Sequence, residues 1–295
     1  MTSRAHSPIA SANSFRIFSA AVWLFAFSAL NAVAQAQPSP TALAAYDDYI
    51  HSVESRLTRQ HRSRTEFLAG LLPGSQADQQ LRRGGLVVED LTPHARNTPG
   101  ALLSHWRATA FVPGATASEF TSLLRHFSAY PRIFAPQVVS ARVLEQSATR
   151  ACIALRMLQH HVLTVTLDGT FHVAFGQLDP QRVWSTSAST SIAEIASPNK
   201  PGGYAITVEP DHGFLWRLNT WWSYEQRDGG LYLQIESVSL SRSIPFGLAW
   251  AVGPYVQSIP RDSLTFTLNA ARRTLEHSTP AKESSSLASL RDERK

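Results

Sequence analysis

Residues 214–242 read FLWRLNTWWSYEQRDGGLYLQIESVSLSR, two apolar runs joined by Asp228-Gly229-Gly230. An Asp-Gly step between runs of aromatic and aliphatic residues is a strong hairpin signal, because both residues tolerate the positive φ that a tight turn needs. Residues 214–226 and 231–242 are therefore expected to be paired antiparallel strands. In the first run Phe214, Trp216, Leu218, Trp222 and Tyr224 fall on even positions. Unbroken alternation would put them on one face, as an aromatic wall.

Working outward, the period-two pattern recurs. Strands are expected at 101–112, 138–145, 150–158, 162–175, 182–196 and 204–208. Within 162–175 the residues Leu163, Val165, Leu167, Phe171, Val173 and Phe175 all occupy odd positions, which marks one buried face. Leu178-Asp179-Pro180 and the stretch PNKPGG at 198–203 supply turns. Pro113-Gly114 turns the chain after the first long strand. Thr116 or Ser118 then caps a helix to about His126, with Phe120, Leu123, Leu124 and Phe127 on its buried side. Residues 130–136 form a short helical or turn element.

Helical patterns bracket the strands. At 41–70, Tyr46, Ile50, Val53 and Leu57 recur at helical spacing, while Asp47, Asp48, Glu54, Arg59 and Arg62 form a solvated face. Residues 245–256, PFGLAWAVGPYV, are apolar all round and read as buried. Ser258 can cap a helix from near Pro260 to about His277, with Leu264, Leu268, Ala271 and Leu275 as its stripe. This order is α+β: a curved antiparallel sheet of about six to seven strands, a long C-terminal helix, and an extra N-terminal helix. A sheet of this kind must cover one face, and the C-terminal helix is the long element left to do so. A bent sheet gripping one helix leaves a gap, which becomes a cavity.

Composition narrows the function classes. The chain has 295 residues, 43% apolar and 17% charged, too apolar for a disordered chain. Cys152 is the single cysteine, so a disulfide framework and a thiolate metal cluster are both excluded; in ACIALRML it reads as an inert buried side chain. Arg4 and Arg16, the apolar run 17–30 and Ala32-Val33-Ala34 make a secretory signal peptide over residues 1–34, cut before Gln35. The alternative is an N-terminal membrane anchor, but a span needs about 20 strongly apolar residues and this run weakens at Asn31 and Gln35. With no cysteine after the cut there is no lipid anchor. The protein is expected in the periplasm or secreted. Residues 35–100 form a linker and helical extension, and 278–295 a disordered serine-rich tail. Loss of the leader lowers the formal charge from +5 to 5 − 2 = +3. Paired arginines at 82–83 and 272–273 are too sparse for nucleic acid to be a partner.

Several stretches carry a family resemblance: Phe111-Val112-Pro113-Gly114-Ala115-Thr116, Tyr130 to Pro136 with Gln137-Val138-Val139, Ser239 to Pro245, and Ile259-Pro260-Arg261-Asp262-Ser263-Leu264. Together with the element order they resemble the START-like helix-grip superfamily, which includes polyketide cyclase-like (SRPBCC) proteins, and within it an exported bacterial branch. The resemblance covers about residues 101–277. It implies a hydrophobic cavity under the last helix and brings no catalytic residue, since one scaffold hosts carriers, cyclases and hydrolases.

No phosphate loop, H-E-x-x-H, G-x-S-x-G or Cys/His metal spacing occurs. His160 and His161 are adjacent on a strand and point to opposite faces, so neither metal nor cofactor is expected. The apolar cavity candidates are Phe171, Phe175, Trp216, Trp222, Tyr224, Leu264 and Leu268; the competing reading of the aromatic strand is ordinary packing against Leu264 and Leu268. The polar candidates are His172, Glu194, Arg217, Glu225, Glu236 and Arg242. Arg217, Glu225, Glu236 and Arg242 lie on neighbouring strands. Paired inside the cavity they would mark the polar end of a ligand; paired outside they would be surface ion pairs worth about 0–1 kcal/mol. The first functional expectation is a carrier of a hydrophobic small molecule such as a lipid or isoprenoid, loaded through movement of the last helix or of residues 130–136, with membrane-surface contact during exchange. A structural or partner-binding module with a filled core comes second. Third is a cyclase, dehydratase or hydrolase on an aromatic or polyketide-like substrate, which needs two of His172, Glu194, Arg217, Glu225 and Glu236 inside the pocket.

Overall fold

Asp228 and Gly229 have φ of 59° and 76°, the left-handed pair that a two-residue turn requires, and Arg227 pairs with Gly230 across it. The hairpin is as the sequence predicts. The computed structural model describes residues 37–92, 100–160, 164–196, 206–207, 213–243 and 249–278. The leader, residues 279–295 of the tail and His161 lie outside the described residues.

The elements are α1 (Pro40–Gln60), α2 (Gln76–Arg82), β1 (Val87–Asp90), β2 (Ala101–Pro113), α3 (Ala117–Arg125), a 3-10 turn (Phe127–Ala129), α4 (Tyr130–Ile133), β3 (Val138–Gln146), β4 (Arg150–His160), β5 (Thr164–Asp179), β6 (Arg182–Ala196), β7 (Ile206–Thr207), β8 (Leu215–Arg227), β9 (Gly230–Arg242) and α5 (Ala249–Ser278). One antiparallel sheet runs β1-β2-β9-β8-β6-β5-β4-β3, with β7 paired to β6. Among the described residues the sheet has nine strands against an expected six or seven, with the short β1 added at one edge. Of the strand expected at 204–208 only Ile206–Thr207 is described.

Helix α5 lies on one face, here called inner. Leu264, Leu268, Ala271 and Leu275 share a core with Ala108, Ala110, Val112, Leu231, Leu233, Ile235, Trp222 and Tyr224. Ala108, Ala110 and Ala271 are fully buried, and such small side chains let the helix come close to β2 and β9. The fold is therefore the helix-grip arrangement that the element order implies. α5 starts earlier than expected: it is one 30-residue helix that continues through Pro254 and Pro260. Each proline removes one backbone donor, a local loss that the packed stripe downstream outweighs.

The outer face is also covered, which the sequence reading missed. The stripe Tyr46, Ile50, Val53 and Leu57 of α1 packs against Leu103, Trp216, Trp221, Val238 and Leu240. The Ser39 hydroxyl caps α1, accepting the Ala42 N–H at 3.1 Å. The helix ends at Gln60 instead of continuing to Gly70, because tertiary contacts capture the chain there. The Gln60 amide donates to the Phe67 carbonyl at 2.8 Å, and His61 stacks on Trp184 with ring centroids 5.3 Å apart. Phe67, Leu68 and Leu71 then fill a second outer cluster with Leu81, Phe111 and Tyr232.

Beneath α1 lies a buried ionic network. The Glu236 carboxylate accepts from Arg56 at 3.2 Å, sits 3.0 Å from His105 Nε2, and lies 3.6 Å from Arg107 Nη1. Arg107 donates twice to Glu89 on β1, at 2.7 and 2.9 Å, and the Tyr49 hydroxyl is 2.8 Å from His105 Nδ1. Burial alone would raise the Glu236 pKa, but the His105 hydrogen bond and the Arg56 and Arg107 charges hold it at about 2. His61, 2.7 Å from the Ser223 hydroxyl, is pushed down to about 4 by burial.

Both shifts make the fold sensitive to acid. The unfolded chain binds a proton at a histidine near pH 6.5 and at a glutamate near pH 4.5, above the folded values, so each contribution is present at neutral pH and lost as pH falls. Thermal melts should therefore show declining stability from pH 6.5 to 4 through His61 and from 4.5 to 2 through Glu236. His61→Phe should flatten the upper part of that decline; an unchanged slope between pH 6.5 and 4 would remove His61 as its cause. At pH 7, Glu236→Gln should cost about 3–5 kcal/mol in urea unfolding, since it leaves Arg56 and Arg107 beside a neutral amide.

Candidate functional site

The cross-strand register fixes which side chains share the inner face with α5. On β2 these are Ser104, Trp106, Ala108, Ala110 and Val112; on β9 they are Leu231, Leu233, Ile235, Ser237, Ser239 and Ser241. On β8 they are Leu218, Thr220, Trp222 and Tyr224, and on β6 Val183, Ser185, Ser187 and Ser189. Phe171, Val173 and Phe175 of β5 continue the face towards Ile153 and Ala151 of β4.

This face changes character along the strands. Near the β8–β9 hairpin it is apolar and filled. Phe120 of α3 meets Trp222 and Tyr224 edge-on at 5.0 and 4.8 Å, Leu268 is fully buried, and the Tyr224 hydroxyl sits 2.8 Å from that of Thr121. Burial pushes the Tyr224 pKa up to about 12, so the phenol stays neutral. Towards the other end of the strands the apolar residues give way to hydroxyls. Ser237, Thr220 and Ser187 are register partners on three adjacent strands, with Ser239 and Ser104 paired one step further along. Leu218, Thr220, Ser187 and Ser237 sit mid-sheet on the helix-bearing face, yet each is only half-buried. Side chains at the centre of a covered sheet stay partly accessible only where nothing fills the space above them.

The expected site residues are divided between the faces. Phe171, Phe175, Trp222, Tyr224, Leu264 and Leu268 are inner, but Trp222, Tyr224, Leu264 and Leu268 belong to the filled core, the ordinary packing that was the competing reading. Trp216 departs from the expected wall. A β-bulge between Leu215 and Arg217 inserts it as an extra residue, and it packs with Tyr46 and Leu240 beneath α1. His172 is exposed on the outer side, opposite Phe171 and Val173. Arg217, Glu225, Glu236 and Arg242 all fall in outer register positions and do not pair with one another. Arg217 donates to the Trp216 carbonyl at 2.8 Å, and Glu225 is held by Arg182 and Arg227 at 2.9 and 3.2 Å. Neither expected arrangement of these charges is realised: they lie on the outer face, where Glu225 and Glu236 are buried and Arg217 and Arg242 half-buried, because α1 and the segment after it cover that face.

Glu194 alone of the polar candidates shares the inner register, paired with Leu167 at the far end of β6. Burial raises its carboxyl pKa, opposed in part by the Phe214 N–H that donates to it at 3.3 Å. The hydroxyls are not among the expected site residues. Their signal is the run STSASTS at 185–191 and the alternating serines at 237, 239 and 241. Serine is a weak strand former, so the pattern does not mark a buried face.

No protein-family model matches the chain, and no curated protein matches it. Among solved structures, the STAR-related lipid transfer protein fragment from Xanthomonas axonopodis is 17% identical, covering 61% of this chain and 96% of its own, at a TM-score of 0.42. A START superfamily protein from Mycobacterium smegmatis is 15% identical, covering 61% and 99%, at 0.37. The Zhui aromatase/cyclase from Streptomyces sp. R1128 is 13% identical, covering 59% and 94%, at 0.38. The helix-grip assignment rests on strand order and on the position of α5.

The two ends of the inner face should respond differently to truncation. Leu268→Ala opens a hole in the filled end and should cost about 2–5 kcal/mol in urea unfolding. Leu218→Ala, in the half-buried region, should cost about 1 kcal/mol or less. Equal costs at the two positions would mean that the space beside Leu218 is filled.

Proposed function

We propose that this chain binds a hydrophobic small molecule between the inner face of its sheet and α5, and that it carries or sequesters that molecule outside the cytoplasm. The observation that carries the reading is the row Leu218, Thr220, Ser187 and Ser237, half-buried at the centre of a helix-covered face. Binding would displace water from Leu218, Phe175, Leu155 and Met157, partly buried apolar residues beside that row, at about 25 cal/mol per Å² of apolar surface covered. Access would come from displacement of α4, whose Tyr130 hydroxyl is tied to the Leu124 carbonyl at 2.6 Å, or of α5 beside it. The position of the titratable groups favours binding over catalysis. Of His172, Glu194, Arg217, Glu225 and Glu236, only Glu194 shares the inner register, so no acid–base pair among them faces the space. Export is supported by the leader at residues 1–34.

Protein purified from its native host should release an apolar molecule on solvent extraction, seen by mass spectrometry. It should also bind Nile red, with affinity falling about tenfold or more in Leu218→Trp while the melting midpoint moves by no more than about 3 °C. An empty extract together with no dye binding would end the carrier reading. N-terminal sequencing of the same material should begin at Gln35; an intact Met1 in a membrane pellet would favour the anchor instead.

A further inference from the structure

The hydroxyls of the inner face say what kind of molecule the space accepts, an inference that rests on the binding function proposed above. Ser104, Ser185, Ser239 and Ser241 are each more than nine-tenths buried. Among the described residues these hydroxyls and those of Ser187, Thr220 and Ser237 have no hydrogen-bond partner within the chain, and their oxygen atoms stay open to the space in front of them. Ser189 is the exception, its hydroxyl accepting the Leu218 N–H at 2.9 Å. Seven hydroxyls without a partner in the chain, three of them half-buried, line one face where alanine or valine would pack as well, and they are free to meet the oxygen atoms of a ligand.

Their spacing is regular. Ser187, Thr220 and Ser237 face the same side of three neighbouring strands, so their hydroxyls recur roughly every 5 Å across the sheet, and along β9 the serines recur roughly every 7 Å. The outer face of the same strands is the control. There several buried polar groups find partners within the chain: Gln234 bonds Ala69 and Thr109, the Tyr46 hydroxyl bonds Asn219 and the Val238 carbonyl, and Ser223 bonds His61, whereas the nitrogen atoms Trp216 Nε1 and Arg242 Nη1 have none.

Charge is the second observation. The inner-register residues of β2, β9, β8, β6, β5 and β4 include one ionisable carboxylate, Glu194, and neither lysine nor arginine. An anionic head group would meet no cation on this wall, and a carboxylate at its rim. A hydrocarbon would cover the hydroxyls without bonding them. A molecule with oxygen atoms and no charge answers both conditions. Gln159 adds to the set: it shares the inner register of β4, and its side-chain carbonyl oxygen is buried without a hydrogen-bond partner, so it can accept from a ligand hydroxyl.

We propose that this hydroxyl band selects a neutral, oxygen-bearing apolar molecule over an anionic lipid and over a pure hydrocarbon, with Ser187, Thr220 and Ser237 as the determinants of that preference. Hydroxyls suit the task because each donates once and accepts twice and rotates to fit, so alcohol and carbonyl oxygens can both be met.

The test is a matched fluorescent series: 1-pyrenebutanol, 1-butylpyrene and 1-pyrenebutyrate, titrated into the full-length protein at pH 8. The wild type should bind the alcohol at least as tightly as the more apolar hydrocarbon, and the anion about tenfold more weakly than the alcohol. In the triple variant Ser187→Ala, Thr220→Val, Ser237→Ala the ratio of alcohol to hydrocarbon affinity should fall about tenfold, while hydrocarbon binding is kept. The variant's melting midpoint should be no lower than that of the wild type, since the removed hydroxyls have no partner in the chain. An unchanged ratio, or the tightest binding for the anion, overturns the proposal while leaving the carrier reading intact. If no pyrene probe binds, the molecule extracted from native protein decides: a neutral oxygenated compound supports the band's role, and a fatty acid, phospholipid or bare hydrocarbon overturns it. Failure of the carrier reading is separate and shows as an empty extract and no Nile red binding.

Discussion

Strands β8 and β9 are covered on both sides. α5 and α3 pack on one face and α1 on the other, so every side chain of the β8–β9 hairpin must suit one of two interiors. That double burial is the constraint the rest of the molecule answers to. With a side-chain period of two, a slip of one residue would send the ionic network into the apolar core and the apolar core under α1. The register is held by the Asp228-Gly229 turn at one end, and it is adjusted once, by the bulge at Trp216, at the other. The small residues Ala108, Ala110 and Ala271 follow from the same constraint, because a helix close against the inner face leaves no room for larger ones.

The two interiors treat polar groups in opposite ways. On the outer side Glu236, Arg107, Gln234, Ser223 and Asn219 are buried, and each has a partner in the chain. A charge cluster of that kind adds little net stability, since desolvation offsets most of the attraction, but removal of one member is expensive. It therefore fixes how α1 sits on the sheet more than how firmly the sheet folds. On the inner side the polar groups are mostly small hydroxyls, and those of Ser187, Thr220 and Ser237 have no partner in the chain. Charged groups are kept to the outer side and small hydroxyls line the inner one, and ligand contact is the reading that accounts for the hydroxyls.

Much of this was legible in the sequence, and the failures have identifiable physical causes. The hairpin, the stripe Tyr46, Ile50, Val53 and Leu57, and the stripe Leu264, Leu268, Ala271 and Leu275 were all visible, because each is a long periodic pattern ending in a recognisable turn or cap. Trp216 was misplaced because alternation is counted along one strand, whereas a bulge is a property of two. The ends of α1 and α5 were misjudged for opposite reasons. Contacts of Gln60 and His61 halted a helix whose pattern ran on, and packing carried another through prolines that should have delayed it. The buried charges were assigned to a cavity or to solvent, since one chain of letters does not show that an N-terminal helix folds back over the sheet.

The serines were overlooked for a more instructive reason. Strand reading weighs apolar residues, and a run such as STSASTS lowers the expectation of a buried face instead of describing it. In this fold the same strands act as core at one end and as a receptive wall at the other. The filled end supplies the stability, through side chains such as Leu233, Ile235 and Tyr224 that are wholly enclosed. That surplus lets the open end carry hydroxyls in place of apolar packing. Because both ends share one ladder of backbone hydrogen bonds, the packed half also holds the hydroxyls of Ser187, Thr220 and Ser237 at fixed spacing before any ligand arrives. A wall set in advance loses little conformational freedom on binding, so weak individual hydrogen bonds can still discriminate.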